Sequence, residues 1–123
     1  MNGIRAIGLT LQGVFEQDEQ LTKYYMTKEE KEKEKNGDIT VVGTTTYVTG
    51  KNGEYKIHES IILSMSEVER IHIDYDPEDD YIMDQHFYLK NGEKLYGRSR
   101  DHEEVKLWES KGIPITKDTY KYE

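Results

Sequence analysis

Apolar and polar residues alternate along most of this chain, from about residue 4 to residue 98. A period of two residues is typical of strands that bury one face of a sheet. The pattern changes at 101–111, where Val105 and Trp108 share a helical face and Gly112 supplies a C-terminal stop. The chain therefore predicts an α+β fold of about six antiparallel strands, in a bent sheet or a small open barrel, packed by one C-terminal helix.

Length and composition predict one domain, spanning 1–123, with a thin core. Of the 123 residues, only 34% are hydrophobic and another 34% are charged. These hydrophobic residues include 10 Tyr and 1 Trp, which enlarge the core because each aromatic ring buries roughly 150 to 250 Å². We therefore expect Trp108 to anchor the helix on the sheet; the alternative for this side chain is an exposed hot spot for a partner.

Two polar segments interrupt this pattern. A run of mixed charge around Lys28–Lys35 predicts a mobile insertion at about 17–37, frayed or briefly helical. The tail at about 116–123 is polar with two Tyr, and it is expected to add an edge strand or to fray. Strands followed by a single helix also argue against a parallel strand–helix–strand unit and the nucleotide sites found there.

Turn sequences divide the strand region into hairpins. Residues 38–49 and about 55–63 flank a turn rich in Gly and Asn, which predicts one antiparallel pair. Residues 68–75 are expected to pair with 82–90 across an acidic turn. An Asn-Gly turn then predicts that the chain returns as a last strand over 93–98.

The order of these elements resembles the pleckstrin-homology-like superfold, in its small bacterial form. The likeness covers about residues 38–112 and is carried by Ser64–Ile73, by Lys90–Arg98 and by the helix at Asp101–Lys111. The resemblance implies a strand meander capped by a C-terminal helix, with usually seven strands. It implies no single function, because members bind phosphoinositides, peptides or proteins. The resemblance implies no lipid-binding residues for this chain, since only Arg5 is basic on the first strand.

The charge balance excludes several classes of function. The net charge of −8 makes the molecule repel nucleic acid and anionic lipid. The absence of Cys removes disulfides, thiolate metal sites and cysteine nucleophiles. The first residues lack the apolar core of a signal peptide, and no window approaches the ~18 apolar residues of a membrane span. We expect a cytoplasmic protein of bacterial or phage origin.

The predicted pairing of 68–75 with 82–90 places candidate metal ligands on one polar face. These are His72, Asp74, Asp84 and His86. Directly opposed side chains lie about 5 Å apart, so two imidazoles and two carboxylates would converge. Such a set suits a first-row transition metal or a carboxylate-oriented base. The alternative is a ladder of opposite charges on the surface.

The acidic turn offers a second candidate cation site. It holds alternating carboxylates from Asp74 to Asp80. A calcium loop needs Gly at its sixth position and a bidentate acid at its twelfth, and these positions hold Asp79 and Gln85. The turn is therefore interpreted as a solvated acidic hairpin turn.

Basic and aromatic residues are concentrated in the last predicted hairpin. As a candidate ligand or partner site we take Tyr88, Lys90, Lys94, Tyr96, Arg98 and Arg100. Interleaved rings and cations can hold an anion or stack a base. The alternative is a salt-bridged surface, because several acids lie close by in the sequence.

Together these features predict a noncatalytic acidic binding protein without a cofactor. Its expected partner is another protein with a basic surface, and neither nucleic acid nor a membrane is expected to bind directly. In its most specific form, this prediction is an inhibitor whose carboxylates imitate a phosphate backbone. A homodimer through a sheet edge is a further expectation. The alternative function is small-ligand or metal binding at the two candidate sites above.

Overall fold

The structure is a computed structural model that describes residues 4–7, 26–42, 46–49, 51–58 and 60–122. These residues form nine strands, two α-helices and a short 3-10 turn at Met65–Glu67. The strands are β1 (Ile4–Ile7), β2 (Ile39–Val42), β3 (Thr46–Thr49), β4 (Tyr55–His58), β5 (Ser60–Ser64), β6 (Val68–Asp76), β7 (Ile82–Leu89), β8 (Lys94–Ser99) and β9 (Ile115–Thr119). The helices are α1 (Lys28–Lys35) and α2 (His102–Ser110). The predicted α+β class is confirmed.

The strands are divided between two sheets. The smaller has the order β1-β5-β2 and is antiparallel. The larger has the order β4-β3-β8-β7-β6-β9, in which β9 runs parallel to β6. The prediction of about six antiparallel strands is therefore matched only in part, because the structure describes nine strands and β9 is parallel to β6. The reason is α2, which carries the chain back past β7 and β6, so that β8-α2-β9 is a strand–helix–strand crossover of the kind parallel pairing requires.

The first predicted hairpin exists only in part. Strands β3 and β4 pair as expected. However, β2 and β5, which were expected to extend the same two strands, pair with each other in the smaller sheet. Alternation shows where a strand buries a face but not which sheet it joins, so the sequence could not separate these segments.

Helix α1 lies within the charged insertion and is held by its caps. The side chain of Thr27 accepts from the amide of Glu30, and the Glu30 carboxylate accepts from the amide of Thr27. This reciprocal arrangement satisfies two amides that a helix start leaves free. The helix buries no residue of its own, so the caps explain why this charged run is helical. Residues 17–25 of the predicted insertion lie outside the described residues.

Gly37 follows α1 at a place where a side chain has no room. Its φ is +80°, and a Cβ atom built there would lie 2.8 Å from Cγ of Leu107. We expect Gly37→Ala to lower the free energy of unfolding by about 2–4 kcal/mol, from left-handed strain together with overpacking. Gly112→Ala is the matched control, since Gly112 has φ +83° and nothing within 4 Å. Equal losses for the two variants in urea unfolding would contradict this explanation.

Helix α2 has the bounds and the buried face that were expected. The Asp101 side chain accepts from the amide of Glu104 at 3.0 Å, as an N-cap does. Val105 and Trp108 are buried, and the Trp108 ring meets Phe87 edge-on with centroids 5.6 Å apart. The prediction that Trp108 anchors the core is confirmed.

The main core also includes Ile71 and Ile73 of β6 and Leu63 of β5, each with 0% exposure. It therefore joins both sheets to α2. Neither described helix has the length and the apolar character to cross a membrane.

Candidate functional site

Four neighbouring strands place eight polar side chains in two rows on one face of the larger sheet. The first row, from β9 to β8, is Thr116, His72, His86 and Tyr96. The second row is Asp118, Asp74, Asp84 and Arg98. Residues opposed in register point to the same face of a sheet, and the core residues Ile71, Ile73 and Phe87 occupy the intervening positions. We call these eight residues the polar grid. It confirms the predicted pairing of 68–75 with 82–90.

Asp84 is the buried acid of the polar grid, with an exposure of 4%. Its carboxylate accepts hydrogen bonds from the Tyr96 hydroxyl at 2.8 Å, from Arg98 Nε at 2.7 Å and from the Tyr120 hydroxyl at 2.5 Å. Burial by itself raises the pKa of Asp84, but these three hydrogen bonds outweigh it and leave the pKa below its usual value. The hydrogen bond to Asp84 raises the pKa of Tyr120. Asp84 is therefore a charged anchor that joins β7, β8 and the segment after β9.

Asp74 lies between the two histidines. Its Oδ1 is 3.1 Å from His72 Nε2, and its Oδ2 is 3.4 Å from His86 Nε2. The two imidazole centroids are 6.0 Å apart. Burial, together with the positive charge of Lys94, lowers the pKa of His86, although Asp74 opposes this. The other nitrogen of His72, Nδ1, lies 2.6 Å from the Thr116 hydroxyl, which connects this group to β9.

The structure thus separates the four predicted metal ligands into two groups. His72, His86 and Asp74 are in contact with one another. Asp84 is engaged instead by its three donors from Tyr96, Arg98 and Tyr120. A metal role for these residues stays a prediction.

Sequence reasoning missed the contribution of β9. His72, Asp74 and Asp118 each have one ligand atom within 4.8 Å of the ligand atoms of the other two. Thr116, Asp118 and Tyr120 are spaced two residues apart, which was the available signal for a strand with one polar face. The sequence could not indicate that β6 is its neighbour.

The basic and aromatic candidate site is not gathered at one place. Tyr88 is covered by the Arg70 guanidinium at 3.7 Å and by Lys94 Nζ at 5.1 Å from its ring centroid. Lys90 is exposed in the turn between β7 and β8. This part of the set is a small stack of cations on one ring.

The rest of that set faces carboxylates. Tyr96 and Arg98 both donate to Asp84. Arg100 donates to Asp79 at 2.8 Å. These pairs compensate the charges of Arg98 and Arg100, and the proposed ligand role of the set stays a prediction.

A cleft of about 590 Å³ lies between α1, the 3-10 turn and the end of α2, and Lys33 and Lys111 line it. Lys111 Nζ donates to Asp38 Oδ1 at 2.9 Å, and Lys33 pairs with Glu29 at 3.4 Å. Both lysine charges are therefore already compensated, so the cleft does not favour an anion.

Three exposed tyrosines lie near the acidic turn at one end of the larger sheet. Tyr81, Tyr120 and Tyr122 are 53%, 40% and 54% exposed, and no other large hydrophobic side chain is exposed among those the structure describes. The Tyr81 amide donates to the Asp76 carbonyl at 2.8 Å, and the Tyr122 hydroxyl donates to Asp76 Oδ1 at 2.6 Å. The Tyr120 amide donates to the carbonyl of Tyr75. The three tyrosines and the acidic turn therefore lie side by side at the surface, and the Tyr120 hydroxyl donates to Asp84.

We call this the acidic tyrosine surface; its members are Asp76, Glu78, Asp79, Asp80, Tyr81, Tyr120 and Tyr122. Hydrogen bonding to Asp76 raises the pKa of Tyr122 to about 12, so this hydroxyl stays protonated in neutral solution. Of the four acids, Asp79 alone forms an ion pair within the described residues. The surface is therefore both aromatic and negatively charged.

Comparison with known proteins adds no relationship to these observations. The predicted resemblance to the pleckstrin-homology-like superfold is neither supported nor opposed by any match, and it stays a prediction together with the homodimer through a sheet edge. No protein-family model, no curated protein and no solved structure matches this chain.

Proposed function

We propose that this protein is a noncatalytic binding protein that docks a partner protein with a lysine- or arginine-rich surface on its acidic tyrosine surface. The observation that carries the proposal is the position of the three exposed tyrosines beside the acidic turn. Tyr is enriched at binding hot spots, because it buries a large area with little loss of side-chain entropy. Acidic residues around it steer a basic partner into contact.

The backbone of the turn supports the same proposal. Asp80 and Tyr81 have φ of +51° and +56°, in the left-handed region. This conformation costs roughly 1–2 kcal/mol for a residue with a side chain. Strain of this kind is concentrated at binding and catalytic sites. In this turn, one of the two strained residues is Tyr81, whose side chain is more than half exposed.

The proposal is tested first by capture and then by titration. The protein retains a basic partner from a lysate of its source cell at low salt, and the purified partner is then titrated. We expect Tyr81→Ser/Tyr122→Ser to weaken binding at least roughly 30-fold, the effect of losing one hot spot or more. We also expect the affinity to fall steeply with added salt. If the carboxylates imitate phosphate groups, duplex DNA displaces the protein from its partner.

A matched pair of charge variants separates local from overall charge. Glu78→Gln/Asp80→Asn removes two carboxylates from the acidic tyrosine surface, and Glu29→Gln/Glu32→Gln removes two from α1. Only the first pair is expected to slow association markedly. The proposal fails if no basic protein is retained at low salt, or if the tyrosine variant binds the partner as tightly as the parent protein.

A further inference from the structure

Asp118 brings a third ligand group to the histidine and carboxylate pair of β6. One ligand atom from each of His72, Asp74 and Asp118 lies within 4.8 Å of the other two. His72 Nε2 and Asp74 Oδ1 are already 3.1 Å apart. Two ligands on tetrahedral zinc are separated by roughly 3.3 Å, given metal–ligand distances of about 2.0–2.1 Å. The pair is therefore close to the spacing that an ion needs, and the Asp118 carboxylate, within 4.8 Å of both, would move closer to complete the set.

The charges of this group favour a divalent cation. Asp74 and Asp118 are directly opposed on neighbouring strands, and like charges in that position destabilise a sheet. Asp74 is approached by two imidazoles, whereas Asp118 is exposed and has no hydrogen bond or ion pair with any described residue. A cation shared between the two carboxylates would remove their repulsion.

The ligand types narrow the choice of metal. Calcium and magnesium prefer sites made wholly of oxygen. Imidazole nitrogen together with carboxylate oxygen suits zinc and its neighbours in the first transition row. Thr116 supplies the outer contact that such sites use, because its hydroxyl lies 2.6 Å from His72 Nδ1. A hydrogen bond from Nδ1 to this hydroxyl leaves the Nε2 lone pair free for the ion.

We propose that His72, Asp74 and Asp118 bind one divalent transition metal ion, of which Zn²⁺ is the type, and that the ion joins the edge strand β9 to β6. The site uses none of the residues of the acidic tyrosine surface. It can therefore fail or succeed independently of the proposed binding function.

Crosslinking by the ion has a structural effect besides occupancy. Asp118 belongs to β9, which lies at the edge of the larger sheet and is mostly exposed. His72 and Asp74 belong to the central part of β6. An ion bound to all three would hold β9 in its register, so its amide hydrogens should exchange more slowly with solvent.

The experiment uses the full chain, purified without a histidine tag and treated with EDTA. Zn²⁺ is titrated by calorimetry, and Co²⁺ is added separately to observe its visible absorption. We expect one ion per chain and slower amide exchange in β9. Asp118→Asn is expected to lower Zn²⁺ affinity roughly 100-fold, and Thr116→Val about tenfold. Asp118 is exposed, so its substitution should leave folding intact.

The control variants distinguish binding at this site from a general attraction of cations to a negatively charged protein. Asp80→Asn removes the same charge outside the site and is expected to leave Zn²⁺ affinity unchanged. The proposal is overturned if the wild type binds no ion stoichiometrically, or if the two Asp→Asn variants lose affinity equally. It is also overturned if His86→Ala abolishes binding while Asp118→Asn does not, since the ion would then lie between the two histidines.

Discussion

Trp108→Ala is expected to lower the free energy of unfolding by about 3–5 kcal/mol, the largest effect of any single substitution considered for this protein. The side chain is fully buried against Phe87 and is the largest buried side chain in the described core. Its loss is expected to leave a cavity beneath α2, in addition to removing the buried ring. Urea unfolding followed by circular dichroism measures the change.

Trp108→Phe is a useful variant to compare with Trp108→Ala. The indole Nε1 is buried and has no hydrogen-bond partner among the described residues. A buried unsatisfied donor costs about 1–3 kcal/mol, so removing it offsets part of the lost ring volume. We therefore expect Trp108→Phe to cost clearly less than Trp108→Ala. A loss below about 1 kcal/mol for Trp108→Ala would contradict the anchoring role assigned to this residue.

Asp84→Ala is expected to lower the free energy of unfolding by about 2–3 kcal/mol. The substitution removes one acceptor that serves Tyr96, Arg98 and Tyr120. The value stays moderate because Arg98 is 55% exposed and regains water when Asp84 is lost. Asp84→Asn keeps the shape of the side chain and removes its charge. It therefore measures the part of the stabilisation that depends on the charge.

The stabilisation by Asp84 depends on pH in a defined direction. The pKa of Asp84 is lower in the folded protein than its usual value. Its contribution is therefore complete above the unfolded pKa of about 3.9 and disappears as the pH falls through the lower folded value. The stability difference between wild type and Asp84→Asn should be constant from neutral pH to about pH 5 and shrink in stronger acid. A difference that persists unchanged in acid would contradict this account.

Local patterns explain why part of the site could be predicted. Alternation assigned His72 and Asp74 to the face opposite Ile71 and Ile73, and the short acidic turn brought β7 back beside β6. These relations depend on neighbours in sequence, and the pairing of His72 with His86 confirms them. Helix α2 could be predicted for the same reason, because its cap, its buried face and its terminal Gly112 all lie within one short segment.

The remaining features depend on contacts between distant parts of the chain. The position of β9 beside β6 depends on where α2 packs, and no local pattern records that choice. The place of Asp118 in the polar grid and the hydrogen bond from Tyr120 to Asp84 were therefore not predicted. The placement of β2 and β3 in different sheets could not be predicted either, because a strand with one buried face has the same sequence pattern in either sheet.

The exchange of strands between the sheets also has a mechanical consequence. Three residues separate β2 from β3, and one residue separates β4 from β5, while the members of each pair belong to different sheets. Because residues of both sheets also share the main core, we expect the two sheets to unfold in one cooperative transition.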